Sequence, residues 1–245
     1  MISENTGSKQ TCLVIGAGSG IAQTLIKRLC DAGNGREVLS VSRDPGSIDD
    51  RARHFSCDYS ASAINALTRT LQSYKGTFRQ VFICNGMLHS DSIKPEKRLE
   101  DIDPAAMAEV FRVNSTVPAM WLRALAPLLK APAVCTLTVF SARVGSISDN
   151  HAGGWYSYRM SKAALNMLIK TAAVEYARRA PNVKLIAFHP GTTDTGLSKP
   201  FQHSVPDNKL FSTEFVTDRL LKILDGMPAD GQAEFIDWAG QTVAW

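Results

Sequence analysis

An apolar run that passes directly into a glycine-rich loop and then into a helical pattern is the feature that most limits the fold of this chain. Residues 12–15 predict a buried strand, Gly16, Gly18 and Gly20 follow, and apolar spacing predicts a helix over 21–32. Such a turn can hold a pyrophosphate on backbone N–H groups at the helix N-terminus. The loop lacks the full dinucleotide fingerprint, and alone it fits equally well a tight turn that needs a positive φ.

Short apolar or β-branched runs alternate with helical patterns along the rest of the chain. Strands are predicted over 11–15, 37–42, 80–84, 134–140 and 183–188, and helices over 21–32, 61–74, 104–130 and 157–178. Alternation of this kind gives right-handed crossovers and a parallel sheet with helices on both faces. We therefore expect a single α/β domain over 11–245, a Rossmann-like doubly wound parallel sheet, after a flexible N-terminus over 1–10.

Charge and cysteine content narrow the class of protein. The net charge is +4, but the basic residues are scattered and match no nucleic-acid motif, so we expect no nucleic-acid partner. The number of cysteines is odd and no metal-ligand spacing occurs among them, which predicts a reduced protein without a metal: Cys12, Cys30, Cys57, Cys84 and Cys135. The polar segment 1–10 does not resemble a signal peptide, and no apolar run reaches membrane-spanning length. We expect a cytoplasmic protein without membrane contact.

The helix predicted over 104–130 contains an internal proline. Asp103 is a good N-cap and Pro104 suits the first helical position. Pro118 has no N–H to donate to the carbonyl four residues earlier, which belongs to Asn114. We therefore expect a local kink at Asn114, whose main-chain carbonyl is left free to bind water.

Ser42-Arg43 ends the second predicted strand, where a nicotinamide enzyme specific for NAD carries an acidic residue for the adenosine ribose. An arginine can instead bind a 2′-phosphate with a planar fork of donors. This position favours NADP over NAD. The alternative is an ordinary solvated arginine.

Tyr158 and Lys162 lie four residues apart, on one face of a predicted helix. A phenol with a pKa of about 10 is a poor acid–base catalyst at neutral pH. A nearby ammonium favours the phenolate and lowers that pKa, so the pair can act as an acid–base unit. The alternative is a surface pair with no catalytic role.

Taken together, these segments resemble the short-chain dehydrogenases/reductases. Matching residues occur in the order and rough spacing of that family: Gly16-xxx-Gly20, Asp58, Asn85-Gly86, Asn114, Tyr158-xxx-Lys162 and Pro190-Gly191. The resemblance extends over 11–245. Within the family the chain is similar to the short carbonyl reductases related to the C-factor cell-signalling protein, through residues 145–150, 153–156 and 189–192.

The resemblance implies a set of cofactor-binding residues. The loop Gly16, Gly18, Ser19, Gly20 and Ile21 would bind the pyrophosphate, Arg43 the 2′-phosphate and Asp58 the adenine edge, and Asn85 and Gly86 would line the adenosine ribose. Residues after the predicted strand 183–188 would hold the nicotinamide carboxamide: Pro190, Gly191, Thr192, Thr193 and Thr195.

The resemblance also implies the catalytic roles. Tyr158 would donate the proton to the substrate oxygen, and Lys162 would lower its pKa and bind the ribose. Asn114 would hold the water that links Lys162 to solvent. This is the residue whose free carbonyl follows independently from Pro118.

Two positions depart from the family pattern. Cys84-Asn85-Gly86-Met87 stands where the family has Asn-Asn-Ala-Gly, and Ser141-Ala142 stands where it has Ser-Ser, so the expected catalytic hydroxyl falls on Ala142. Neighbouring strand residues face opposite sides, and Ser141 can replace the hydroxyl only if the strand end bends. Ser146 is the other candidate, and we favour Ser141.

These observations predict an NADP-dependent oxidoreductase that transfers a hydride to a ketone or aldehyde. The alternative is a sensor or signalling protein of the same fold that binds NADP without turnover, for which Ala142 is the support. A small carbonyl compound is the expected partner, and Trp155, Phe201 and Phe211 lie in loops expected near the site. The helices over 104–130 and 157–178 could pair across a two-fold axis in a homodimer or homotetramer.

Overall fold

The structure is a computed structural model that describes residues 10–33, 35–46 and 48–245. Residues 1–9 of the predicted N-terminal segment lie outside this range, and Gln10 already belongs to the first strand. The strands are β1 Gln10–Ile15, β2 Arg36–Ser42, β3 Arg53–Ser56, β4 Phe78–Ile83, β5 Cys135–Phe140, β6 Val183–His189, β7 Thr192–Thr193, β8 Leu210–Phe211 and β9 Ala233–Asp237. The α-helices are α1 Gly20–Asp31, α2 Ala61–Thr70, α3 Pro104–Phe111, α4 Val117–Leu129, α5 Tyr156–Arg179 and α6 Thr213–Leu224.

Seven of the strands form one parallel sheet in the order β3-β2-β1-β4-β5-β6-β9. The chain moves outward in one direction from β1 to β3 and then crosses back to β4. The carboxyl ends of β1 and β4 therefore diverge into a crevice, which is where ligands bind in sheets of this topology. The expected doubly wound α/β fold is confirmed.

The central strands bury side chains on both faces. In β1, Leu13 and Ile15 pack into one hydrophobic layer, while Cys12 and Val14 pack into the other, and all four are fully buried. The first layer is covered by α2, α4 and α5, and the second by α1 and α6. This explains why β1 is a continuous apolar run rather than an alternating one.

The predicted helix over 104–130 is divided at the expected place. Asp103 caps α3 by accepting a hydrogen bond from the Ala106 N–H, with Pro104 in the first turn. A π-helical turn over Arg112–Thr116 then separates α3 from α4, which carries Pro118 near its start. The missing N–H of Pro118 prevents a regular helix here, and Asn114, inside the widened turn, is fully buried.

None of the helices in the described residues is both long and apolar enough to cross a membrane. Nor do His, Cys, Asp and Glu side chains gather into a metal-binding group in that part of the chain. The cysteines all carry free thiols.

Candidate active site

The glycine loop packs tightly against the residues that follow β4. Gly16 has φ +81°, and a Cβ there would stand 2.8 Å from the backbone nitrogen of Asn85, so only glycine fits. A Cβ on Gly18 would meet no described atom within 4 Å. The Ser19 side chain caps α1 by accepting a hydrogen bond from the Ala22 N–H. The loop thus leaves open space directly before a helix N-terminus.

The segment that follows β6 faces this loop. Gly20 begins α1, and a Cβ there would lie 3.3 Å from the side-chain methyl of Thr195. The Thr195 and Thr193 hydroxyls donate to the backbone carbonyls of Thr193 and Pro190, both at 3.4 Å. Thr192–Thr193 pairs with Leu210–Phe211 in a short two-stranded ribbon. The predicted carboxamide-binding residues are therefore close to the predicted pyrophosphate loop.

The remaining predicted cofactor residues stand at strand ends along the same edge. Arg43 directly follows β2 and is exposed. Asp58 follows β3, and its carboxylate accepts a hydrogen bond from the Ser60 N–H, which lowers the pKa of Asp58 below its usual value. Asn85 and Gly86 follow β4, and the Asn85 Oδ1 is buried with no hydrogen-bond partner in the described residues.

Tyr158, Lys162 and Asn114 are brought together beside Gly86. The Lys162 Nζ lies 5.8 Å from the centre of the Tyr158 ring and donates to the Phe140 carbonyl at 2.8 Å. A Cβ on Gly86 would be 3.8 Å from that Nζ and 3.9 Å from the Asn114 Oδ1. All three polar side chains are buried, and Lys162 is only 2 % exposed.

Asn114 is fixed by contacts to two elements. Its Oδ1 accepts from the Met87 N–H at 2.7 Å, and its Nδ2 donates to the Met87 carbonyl at 2.8 Å and to the Ser161 Oγ at 3.0 Å. The side chain therefore joins the π-helical turn to the residues after β4 and to α5. This leaves its main-chain carbonyl, not its amide, as the group predicted to bind water.

Burial dominates the electrostatics of the Tyr158–Lys162 pair. Desolvation raises the pKa of the Tyr158 phenol well above its usual range, and it lowers the pKa of Lys162 to about 7. The lowering of the Tyr158 pKa by Lys162 that their spacing predicts is absent from this structure, because desolvation is the cause of both shifts.

The serine prediction needs correction. The Ser141 N–H donates to the Phe188 carbonyl, so the pairing of β5 with β6 continues through Ser141 and the strand end does not bend. The Ser141 hydroxyl points to α5, where it donates to the Asn166 Oδ1 at 2.5 Å. Ala142 instead packs on Tyr158. The Ser146 hydroxyl accepts from the Asp149 N–H, so neither serine forms a hydrogen bond with Tyr158.

Aromatic side chains from separate loops cover Tyr158. The Trp155 ring lies 6.2 Å from the Tyr158 ring and 5.0 Å from the Phe201 ring, centre to centre. Phe201 also meets the edge of His89 at 5.7 Å. Phe211, which we expected in the same pocket, packs against Trp238 and Phe215 instead. The wall beside the phenol is thus apolar and aromatic.

Asn166 is a buried residue next to the site that the sequence pattern did not single out. It is 3 % exposed, holds the Ser141 hydroxyl and leaves its own Nδ2 without a partner in the described residues. Tyr158, Lys162 and Asn166 recur every four residues, so one face of α5 is polar although it is buried. The spacing of four residues could have placed Asn166 on the same helix face as Tyr158 and Lys162 from the sequence alone.

Comparisons with known proteins agree with this geometry. The family model for short chain dehydrogenase matches residues 10–205. The C-signal protein of Myxococcus xanthus is 32 % identical over 147 residues, which are 60 % of this chain and 83 % of that protein. The 1-hydroxy-2-glutathionyl-2-methyl-3-butene dehydrogenase of a Rhodococcus species is 27 % identical over 240 residues, covering 96 % and 99 %.

One solved structure with the same fold is the NADPH-bound carbonyl reductase from chicken fatty liver. It has a TM-score of 0.79 and 23 % identity, covering 97 % of this chain and 99 % of that one. The parallel sheet, the glycine loop at its switch point and the match over 10–205 give one result: this chain belongs to the short-chain dehydrogenase/reductase family of oxidoreductases.

Proposed function

We propose that this protein is an NADP(H)-dependent reductase of ketones or aldehydes in which Tyr158 is the proton donor. The observation that carries the proposal is the buried cluster of Tyr158, Lys162 and Asn114 beside Gly86, at the edge of the sheet where the glycine loop also opens. Buried ionisable groups converging in a crevice are typical of catalytic sites.

The crevice has the features that a dinucleotide requires. Open space at Gly18 precedes the N-terminus of α1, and the unpartnered Asn85 Oδ1 can accept a hydrogen bond from a ribose hydroxyl. Arg43 can bind a 2′-phosphate, which favours NADP, and Asp58 can receive the adenine edge. Residues Pro190, Gly191, Thr192, Thr193 and Thr195 would hold the carboxamide. An NADPH-bound carbonyl reductase of the same fold supports this choice.

The bound cofactor supplies the hydride, and the protein supplies the proton and the orientation. Tyr158 donates its phenolic proton to the substrate oxygen. Lys162 binds ribose hydroxyls with its Nζ. In its protonated form it also favours the phenolate that remains after the proton has been transferred. The Asn114 main-chain carbonyl, freed by Pro118, holds the water through which the proton is replaced. Trp155 and Phe201 exclude bulk water from the phenol.

Ala142 favours a second candidate, a protein that binds NADP(H) without turnover. Ala142 belongs to the same small buried cluster as Tyr158 and stands where the family has the hydroxyl that orients the substrate carbonyl. A protein that only binds NADP(H) gains nothing from a buried phenol next to a buried lysine. Burial of each of these polar groups costs folding free energy, so their presence needs another reason. The reductase therefore remains the better account of the site.

Consumption of NADPH against a panel of aliphatic and aromatic carbonyl compounds tests the proposal. We expect Tyr158→Phe to lose at least about 100-fold in kcat while it binds NADPH as tightly as the wild type, measured by quenching of protein fluorescence. Tyr156→Phe is the matched control, since Tyr156 begins the same helix but lies outside the cluster. Full activity in Tyr158→Phe would refute the role of Tyr158, and tight NADPH binding without turnover across the panel would favour the sensor.

A further inference from the structure

A buried acid lies directly before the first turn of the helix that carries Tyr158. Glu96, in the segment between β4 and α3, is 5 % exposed. Its two carboxylate oxygens accept hydrogen bonds from the Ser157 N–H at 3.4 and 3.2 Å, and one of them also accepts from the Ser157 hydroxyl. In the described part of the chain it forms no ion pair. The N-terminus of α5 is thus its principal compensation.

The same residue also fixes the backbone that enters α5. The Glu96 main-chain carbonyl accepts a hydrogen bond from the Trp155 N–H at 2.6 Å. Trp155 has φ +52°, a left-handed conformation that is strained for a bulky residue, and it provides no side-chain cap for the helix. Glu96 therefore replaces the missing cap and holds Trp155 against Tyr158.

We propose that Glu96 is a positioning residue for Tyr158, whose carboxylate fixes the first turn of α5 and whose charge opposes ionisation of the phenol. Tyr158 is the third residue of α5, where the partial positive charge of the helix N-terminus favours phenolate. A carboxylate at the same end opposes that effect. This inference rests on the proposed function, since it concerns the same proton donor.

Other ionisable groups surround this turn, but most are solvated or already paired. They are Lys162, Arg159, Arg143, His89, Lys94, Lys97, Asp101 and Asp103. Arg159 donates to the Gly153 and Gly154 carbonyls, and Arg143 pairs with Asp149 and Asp237. Among the eight, Lys162 alone is buried like Glu96. Loss of the Glu96 charge would lower the pKa of Lys162 as well as that of Tyr158, so both effects have the same sign.

The pH profile of carbonyl reduction in Glu96→Gln tests the proposal. Glutamine keeps an acceptor for Ser157 but removes the charge, and we expect the midpoint of the alkaline limb to move down by about 0.5 pH unit. Glu100→Gln is the matched control, because Glu100 is an exposed acid four residues away and should leave the profile unchanged. Glu96→Asp keeps the charge, so its midpoint should match that of the wild type while kcat falls.

An unmoved midpoint in Glu96→Gln, with or without a loss of stability, would overturn the proposal. If Glu96→Gln does not fold, Ser157→Ala takes its place: it removes one donor from the carboxylate, so the midpoint should rise, and an unchanged midpoint would again overturn the proposal. If the wild type shows no turnover, the proposed function fails separately. The tyrosinate absorbance of each protein minus that of its Tyr158→Phe version, with NADP⁺ bound, then reports the same shift.

Discussion

Replacement of Lys162 by methionine should make the protein more stable and inactive. Burial lowers the pKa of Lys162 to about 7 from the usual 10.5, so the folded state disfavours the charged amine. At pH 7 that shift corresponds to about 4 kcal/mol of destabilisation relative to a neutral side chain. The variant also loses the hydrogen bond to the Phe140 carbonyl, which costs about 1 kcal/mol. We expect Lys162→Met to gain about 3 kcal/mol at pH 7.

The gain should depend on pH in a defined direction. Between pH 7 and 10.5 the unfolded chain keeps the Lys162 proton while the folded protein has lost it, so the stability of the wild type rises with pH through this window. Below pH 7 the destabilisation is complete. Near pH 10.5 it has vanished, and the variant should be less stable by about 1 kcal/mol because of the lost hydrogen bond.

Denaturant unfolding of both proteins at pH 7 and pH 10.5 measures this change of sign. Other groups titrate equally in the two proteins and cancel in the difference. Lys222→Met, at an exposed lysine in the last turn of α6, should change stability by less than about 0.5 kcal/mol at either pH. The reasoning would be refuted by a Lys162→Met variant that is less stable than the wild type at pH 7, or by a difference in the free energy of unfolding that does not change with pH.

Two further substitutions test the departures at the site. Ala142→Ser places a hydroxyl in the cluster that contains Tyr158 and should raise kcat for carbonyl reduction about tenfold. The measurement is the initial rate with saturating NADPH, and an unchanged kcat would mean that no orienting donor is missing. Arg43→Glu should weaken NADPH binding about 100-fold while NADH binding changes little, measured by fluorescence titration of both cofactors; a constant ratio of the two Kd values would remove Arg43 from the 2′-phosphate site.

Most of the predicted strands and helices agree with the structure to within two residues, although α2 ends at Thr70, four residues before its predicted end. The central strands are buried on both faces, and α1 and α3 have side-chain N-caps, so local pattern and tertiary environment agree there. Strand β3, Arg53-His54-Phe55-Ser56, was missed because it is a short edge strand whose side chains are mostly polar. Helix α6 was missed although Ser212 caps it by accepting a hydrogen bond from the Phe215 N–H.

The chemistry of the site was less accessible, because it depends on direction and depth rather than on residue type. Whether Ser141 or Ala142 meets Tyr158 depends on the pleat at the end of β5, and the pairing with Phe188 decides it. The spacing of Tyr158 and Lys162 indicates contact but carries no information about solvent. Desolvation reverses the pKa relation that contact alone would produce.

Tyr158 therefore lies between two buried ionisable groups at the start of α5, Glu96 and Lys162. Glu96 binds the turn at Ser157, and Lys162 lies one turn further along. The carboxylate disfavours phenolate, so loss of its charge should lower the midpoint of Tyr158 ionisation. Lys162 has lost its proton at pH values above about 7, below the range in which the buried phenol ionises, so Lys162→Met should leave that midpoint nearly unchanged. A midpoint that moves with the charge of Glu96 and not with Lys162 separates an electrostatic effect of the acid from packing around the phenol.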